Sequence, residues 1–353
     1  MKILYLADAR STHFHRWFLK YAAMGHDVHV ASARPMSWPG VTTHALPSGG
    51  PFIPRLVVSA ACLHRILKRV QPDVVHAHHV IEYGFIAALA GARPLVCTAM
   101  GSDVLIGMDS RKRRWLARYA CRRAGHVIVR GEHMREAVRR LGARRITVIP
   151  NGIDLGRYPA PADVVIGRGR TILCARNFKP VYNIPTLVEA LGLLHARGVP
   201  FQATITGDGE GRAEIERRLD TLGIRDRVAL PGAIAPDAMP ALYAAHRIYV
   251  SPSLSDGSSV AMMEAMASGC LPVVSDIPAN RAWINNGDNG YLFAPTDAGQ
   301  LCDRLAMALD GPDGGKYALG RNRQLVEQRA DFEKCVGQVS AVYQDAIAAM
   351  PRG

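Results

Sequence analysis

Asp256 and Glu264 stand eight positions apart in the segment SPSLSDGSSVAMMEAMASG (251–269), which is the richest concentration of chemistry-bearing residues in the chain. SDGSS reads as a loop feeding a helix that starts near Ser259, with Ser258 or Ser259 as the capping residue. The backbone N–H groups of Gly257, Ser258 and Ser259 would then form an anion site at the positive end of that helix. Glu264 falls more than a turn in, where a carboxylate can accept two hydrogen bonds from the vicinal hydroxyls of a ribose. Asp256, on the loop, can accept from sugar hydroxyls. Taken alone, the segment reads equally well as a serine-capped surface loop with Glu264 in an ordinary helix.

Such residues need elements to hold them, and the pattern supplies these twice. Short apolar runs (KILYLA, DVHVAS, DVVHAH, PLVCTA, HVIVR and ITVIP, then TILCAR, FQATITG, RVALPG, IYVSPS, PVVSD and GYLF) alternate with helical segments such as 55–70, 111–123, 132–141, 186–196, 211–222 and 259–268. That alternation predicts right-handed βαβ units and parallel sheets. A Gly-, Pro- and Asp-rich interruption at 151–170 reads as an interdomain linker, and FEKCVGQVSAVYQDAIAA has the periodicity of a helix that crosses back onto the first domain. The expectation is two α/β domains, 1–155 with a returning helix at about 332–350, and 156–331, whose strand ends line a shared crevice. Loops at strand ends therefore carry the remaining candidates. Arg10, His13 and Arg16 follow the first strand, and His76, His78 and His79 close the run VVHAHH. The histidines read either as sugar contacts, with His78 foremost, or as local packing. As a metal site they have no second ligand set.

The donor segment resembles the E-x7-E motif of retaining glycosyltransferases of family 4, in which it reads E-G-x-x-x-x-x-x-E-A-M-A-x-G-x-P-V-V. Here it is D-G-S-S-V-A-M-M-E-A-M-A-S-G-C-L-P-V-V, with Asp256 for the first Glu and Cys270-Leu271 in place of one variable residue. ARNFKPVYNIPTLVEAL (175–191) is similar to the family's basic loop, which sets Arg176, with Lys179 as the second cation, against the donor diphosphate. GDGEGR (207–212) resembles the Gly-Asp-Gly turn beginning at Gly207, and LPGAIAP (230–236) the loop that holds the base near Ile234. VIPNGID (148–154) resembles the hinge, and SDIPANRAWINNGDNGYLF (275–293) the segment after the donor site. TAMGSDV (98–104) matches a loop usually written with His before Gly-Ser-Asp: Asp103 is present and Met100 stands at the His position. The resemblance is dense in the second half and looser in the first.

What the resemblance implies is the GT-B fold, two Rossmann-like domains with parallel sheets facing a central cleft. A nucleotide diphosphate sugar would lie on the second domain and the acceptor on the first, with Arg10, His13, Arg16 and His78 on the acceptor side. Asp103, His78, Arg176 and Asp256 would surround the reacting centre. Glu264 would hold the ribose. Arg176, Lys179 and the backbone at Gly257–Ser259 would neutralise the leaving diphosphate, a kind of contact worth roughly 2.7–4 kcal/mol per well-placed donor. Transfer would be front-side, without a metal or other cofactor, and closure about Asn151–Asp154 would exclude water.

Composition bounds the rest. The chain has 353 residues, 48% apolar and 21% charged, which is ample for two cores. Its seven cysteines are scattered and form no CxxC, which argues against a disulfide framework or zinc site and for a reducing cytoplasm. No apolar stretch is long enough to span a bilayer. The net charge of +13 speaks about partners. Arg111–Arg145 holds thirteen Arg or Lys against two acids, and Arg111, Arg114, Arg118 and Arg122 share a helical face beside Trp115 and Tyr119. That face suits an anionic membrane surface, placing the protein peripherally at the inner face, or equally a solvated Arg-rich helix. No motif for reading nucleic acid accompanies it. Two other functions compete. A nucleotide-sugar epimerase or nicotinamide enzyme would want GxGxxG after a strand, and the first strand is followed by DARSTH, without a glycine. A catalytically silent partner of an active transferase would tolerate Met100 and Asp256, but has no use for Arg176 and Glu264.

Overall fold

Apolar runs of four or five residues, buried on both faces, are what a parallel sheet covered by helices requires. The computed structural model, which describes residues 1–158, 169–311 and 316–350 without the side chains of 12–13 and 316–318, contains two such sheets. The chain divides into one unit of Met1–Asn151 with Lys334–Gly353 and a second of Gly152–Glu333. Most of the expected linker, 159–168, lies outside the described residues.

In the first unit, β1 (Lys2–Leu6), β2 (Asp27–Ser32), β3 (Val41–Ala45), β4 (Val74–His78), β5 (Leu95–Ala99), β6 (His126–Val129) and β7 (Ile146–Val148) pair in the order β3-β2-β1-β4-β5-β6-β7, all parallel. Helices α1 (Thr12–Ala23), α2 (Phe52–Val70), α3 (Phe85–Leu89), α4 (Arg111–Arg123) and α5 (Arg135–Arg140) complete the crossovers. Every residue of β4 and β5 is buried. α2 buries Leu56, Ser59, Ala60, Leu63, Ile66 and Val70, a stripe with helical spacing.

The second unit repeats the plan. β8 (Thr171–Ala175), β9 (Gln202–Thr206), β10 (Val228–Gly232), β11 (Ile248–Ser251), β12 (Leu271–Ser275) and β13 (Tyr291–Phe293) form a parallel sheet in the order β10-β9-β8-β11-β12-β13. Its helices are α6 (Ile184–Ala196), α7 (Arg212–Thr221), α8 (Met239–Ala245), α9 (Val260–Ala267), α10 (Pro278–Arg281), α11 (Ala298–Asp310) and α12 (Lys316–Arg329). Counted from its own first strand, each sheet runs 3-2-1-4-5-6, the doubly wound Rossmann order, and the first sheet adds a seventh strand beyond the sixth. The order reverses between β1 and β4 in one sheet and between β8 and β11 in the other. Adjacent crossovers there leave on opposite faces, which opens a crevice at the carboxyl ends of those strands.

The last helix, α13 (Phe332–Ala348), supplies side chains to the first unit. Tyr21 Oη donates to the Val336 carbonyl at 3.1 Å and lies 2.9 Å from Ser340 Oγ. Tyr343 Oη sits 2.6 Å from His76 Nδ1 and donates to Tyr5 Oη at 3.0 Å. Thr98 Oγ1 meets the other His76 nitrogen at 2.7 Å, so this buried polar network is satisfied around the imidazole.

Candidate active site

Arg176 is the first residue after β8, and the loop of Asp256 follows β11, so the two flank the point where the second sheet reverses. The Arg176 guanidinium donates to Asp256 Oδ2 at 2.8 Å, to Ser259 Oγ at 2.5 Å and to Ser251 Oγ at 3.1 Å. Its face lies over the Tyr182 ring, 5.2 Å from the centroid. Only 10% of the Arg176 side chain and 14% of Asp256 remain exposed. Burial works to discharge Arg176, but Tyr249 and the Asp256 carboxylate outweigh it and hold the guanidinium's pKa above its ordinary value. Burial in turn lifts the Tyr249 hydroxyl to about 12, against the pull of Arg176.

Ser259 occupies the N-cap position of α9, yet neither it nor Ser258 makes the capping bond expected of it. Ser259 turns its hydroxyl to Arg176, and Ser258 Oγ is buried without a hydrogen-bond partner. The first-turn N–H groups of α9 are therefore left without a side-chain acceptor from the cap, beside buried Gly257. One turn further in, Glu264 Oε2 accepts a hydrogen bond from Tyr243 Oη at 3.0 Å, and Tyr243 is wholly buried on α8. Gly207 leaves β9 with φ +101°, and a Cβ there would stand 2.6 Å from the Arg176 carbonyl oxygen. Glycine thus lets the two strand-exit loops touch. Ile234 is half-buried in the loop after β10, and Lys179 is exposed at the turn before Pro180–Tyr182.

In the first unit the structure revises three expectations. Asp103 is fully buried, and its carboxylate accepts from the backbone N–H of Val80 at 2.7 Å, Met100 at 2.9 Å and Gly101 at 3.0 Å. It organises the loop after β5 and offers no oxygen to a substrate, so a catalytic contact by Asp103 is withdrawn. His78 does end β4 at the reversal point, but it is enclosed, with both ring nitrogens buried and unpartnered and Phe14 edge-on at 4.9 Å. Burial, His76 and Arg130 lower its pKa well below the ordinary value, so the ring is neutral. Arg16 donates to the Asn151 carbonyl, and Trp17 Nε1 donates to Asn151 Oδ1 at 3.3 Å, which commits Arg16 to the end of the first unit's chain. Arg10 is exposed after β1, and the side chain of His13, on α1, is outside the described residues. Among the described residues, no three His, Cys, Asp or Glu side chains gather as metal ligands.

Residues 163–327 match the family model described as glycosyl transferases group 1, and residues 2–130 the one described as glycosyl transferase 4-like. The chain belongs to the group 1 glycosyltransferases. This transferase is 27% identical over 316 residues to the UDP-Gal:alpha-D-GlcNAc-diphosphoundecaprenol alpha-1,3-galactosyltransferase of Escherichia coli, over 82% of this chain and 79% of that one. Its backbone is similar to that of sucrose-phosphate synthase from Thermosynechococcus elongatus, with a TM-score of 0.84, 18% identity, and 99% and 100% of the two chains covered. It is also similar to HepE of Anabaena in complex with UDP-glucose, with a TM-score of 0.80, 20% identity, and 98% and 100% covered. The fold is GT-B.

Sequence reasoning on the transferase missed Tyr243, which braces Glu264, and Ser251, which shares Arg176 with Asp256. Tyr182 lies in the same loop as Arg176, ARNFKPVYNIP. It proves to be the ring beneath Arg176.

Proposed function

We propose that this transferase is a retaining enzyme that moves a sugar from a nucleotide diphosphate sugar, of the UDP or GDP type, to an acceptor hydroxyl. The observation that carries the reading is a covered arginine, held by Asp256, Ser259 and Ser251, beside the N-terminus of α9 at the second sheet's reversal point. In the free protein the Asp256 carboxylate sits where an anion would sit. A donor diphosphate takes over the Arg176 guanidinium and the α9 N–H groups, with exposed Lys179 as the second cation. The freed Asp256 then meets hydroxyls of the sugar. Glu264, held by Tyr243, accepts from the ribose hydroxyls, and the loop around Ile234 takes the base. The bond from sugar C1 to the phosphate oxygen breaks, the acceptor oxygen bonds to C1 on the same face, and the leaving phosphate takes the acceptor's proton. All charge neutralisation in this scheme comes from protein groups, so it needs no metal ion. The printed acceptor of the Escherichia coli relative is a diphosphoundecaprenol-linked sugar. A lipid-linked acceptor, used at the cytoplasmic membrane face in glycolipid or polysaccharide assembly, is the first to try here, followed by glycan and small-molecule acceptors.

Thermal unfolding against UDP, GDP and their sugars, with Arg176→Ala and Glu264→Ala alongside, tests the donor site. A ligand at about 100 times its dissociation constant stabilises by roughly 2.7 kcal/mol. One base family should raise the melting temperature of the wild type and not of the variants. If no nucleotide shifts the wild type, the donor site is wrong. A second reading, a silent partner of another transferase, draws on Met100 and on an Asp103 fully committed to backbone. It predicts that Arg176→Ala leaves partner function intact.

A further inference from the structure

The helix α4 carries Arg111, Lys112, Arg113, Arg114, Arg118, Arg122 and Arg123 and no acid, and α2 likewise contains no Asp or Glu. Among the described residues, none of the α4 cations pairs with a carboxylate, and Arg111, Lys112, Arg114, Arg118 and Arg122 are exposed. The basic run further along behaves differently. Arg135 is tied to Glu132, Arg139 and Arg140 are tied to Glu136, and Arg130 is buried over Trp17. Of the cations in 111–145, those left unpaired and exposed among the described residues are gathered on α4, with Arg144 and Arg145 at the far end of the run.

Apolar surface lies beside it. Lys112 Nζ sits 5.7 Å from the centre of the Phe52 ring, which joins the start of α4 to the start of α2. The opening of α2 exposes Phe52, Ile53, Val57 and Val58, the last two by more than half. Trp115 is 58% exposed, with its inner side against Phe85 and Tyr119. A protein of this size hides most large apolar side chains, so a rim of unpaired cations around exposed Phe, Ile, Val and Trp marks a surface that something covers. Nucleic acid would answer the charge, but an aliphatic Ile53–Val57–Val58 ridge offers nothing for bases to stack on. Anionic lipid answers both: the cations meet headgroup phosphates while the ridge and the indole enter the acyl boundary.

We propose that the exposed face of α4 and the first turns of α2 dock this protein on an anionic lipid bilayer. Docking does not depend on turnover, so it can be measured whether or not the donor site works as described above. The test is sedimentation of the full chain with vesicles of phosphatidylcholine alone or mixed with phosphatidylglycerol. Three variants go with it: Arg111→Gln/Lys112→Gln/Arg114→Gln/Arg118→Gln, Val57→Ser/Trp115→Ser, and a control in the ion-paired region, Arg139→Gln/Arg140→Gln. All altered side chains are exposed, and an unchanged melting temperature confirms folding for each. Binding should need phosphatidylglycerol. Each cation near the surface contributes about fivefold in affinity, so the fourfold variant should lose at least about a hundredfold. The Val57/Trp115 variant should also bind more weakly, the control should bind normally, and Trp115 emission should shift to the blue on mixed vesicles. Equal binding to phosphatidylcholine alone overturns the proposal, as does a fourfold variant that binds like the wild type. So does single-stranded RNA held more tightly than vesicles, lost in the fourfold variant and indifferent to Val57→Ser/Trp115→Ser.

Discussion

Arg176 makes three side-chain hydrogen bonds in the free protein, and in the proposed donor site it turns from Asp256 to the diphosphate. Arg176→Ala should therefore lower kcat/KM by about a hundred- to a thousandfold, as removal of a charge-stabilising donor does elsewhere. Arg176→Lys should restore only part of this, since a lysine cannot reproduce the planar fork that spans Asp256 and two serines. Steady-state kinetics with a saturating acceptor reads both. Tyr243 acts at one remove. Its hydroxyl fixes one oxygen of Glu264, and Tyr243→Phe should weaken nucleotide binding roughly tenfold, the scale of one hydrogen bond to a charged group, while leaving kcat nearly unchanged. Titration calorimetry with the free nucleotide separates that effect from chemistry.

Between elements, the decisive contacts are close approaches that only certain residues permit. Gly207 ends β9 in a left-handed conformation, with no room for a Cβ against the Arg176 carbonyl. Gly207→Ala should destabilise the second unit by more than about 1 kcal/mol in denaturant unfolding and should weaken nucleotide binding, because the clash is relieved by moving Arg176. The α13 helix offers a parallel case in the first unit. Tyr343→Phe removes the hydroxyl shared by His76 and Tyr5 and leaves buried polar atoms unmet, at a cost of about 1–3 kcal/mol. Urea unfolding followed by fluorescence checks this, and nucleotide affinity should not change.

At the level of the whole molecule, buried neutral histidines make stability depend on pH. Burial, with Arg130 adding to it, lowers the His76 pKa to about 3, and His78 is depressed in the same direction. Well above pH 6.5 both rings are neutral in either state and contribute no pH dependence. Below it the unfolded chain binds protons that the folded chain refuses. Stability then falls as pH drops toward 3, by at most about 1.4 kcal/mol per pH unit for each ring. Thermal unfolding between pH 7 and pH 4 should show a declining melting temperature, with a shallower slope in His76→Gln. A flat profile would mean that His76 takes up a proton in the folded state. A chelator added to the turnover assay should leave the rate unchanged.

Local features of the chain were legible without the structure. Apolar runs and helical periodicity located the two sheets because burial on both faces leaves a mark on every residue of a strand, as in β4, β5 and β12. The spacing from Asp256 to Glu264 was readable because it lies along one loop and one helix. The partners of Arg176 are 75, 80 and 83 residues away, and no local pattern records them. Strand order alone brings β8 beside β11 and so makes Arg176 a neighbour of Asp256. The same holds for the withdrawn catalytic contact: Asp103 looked available in its motif, and only the path of the chain from β4 into Val80 shows its oxygens already taken. Sequence by itself determined which residue types stand at strand ends and where the elements begin. Tertiary structure decided which of those side chains remain free to meet a ligand, because hydrogen-bond satisfaction and burial are properties of neighbours that the chain brings together only on folding.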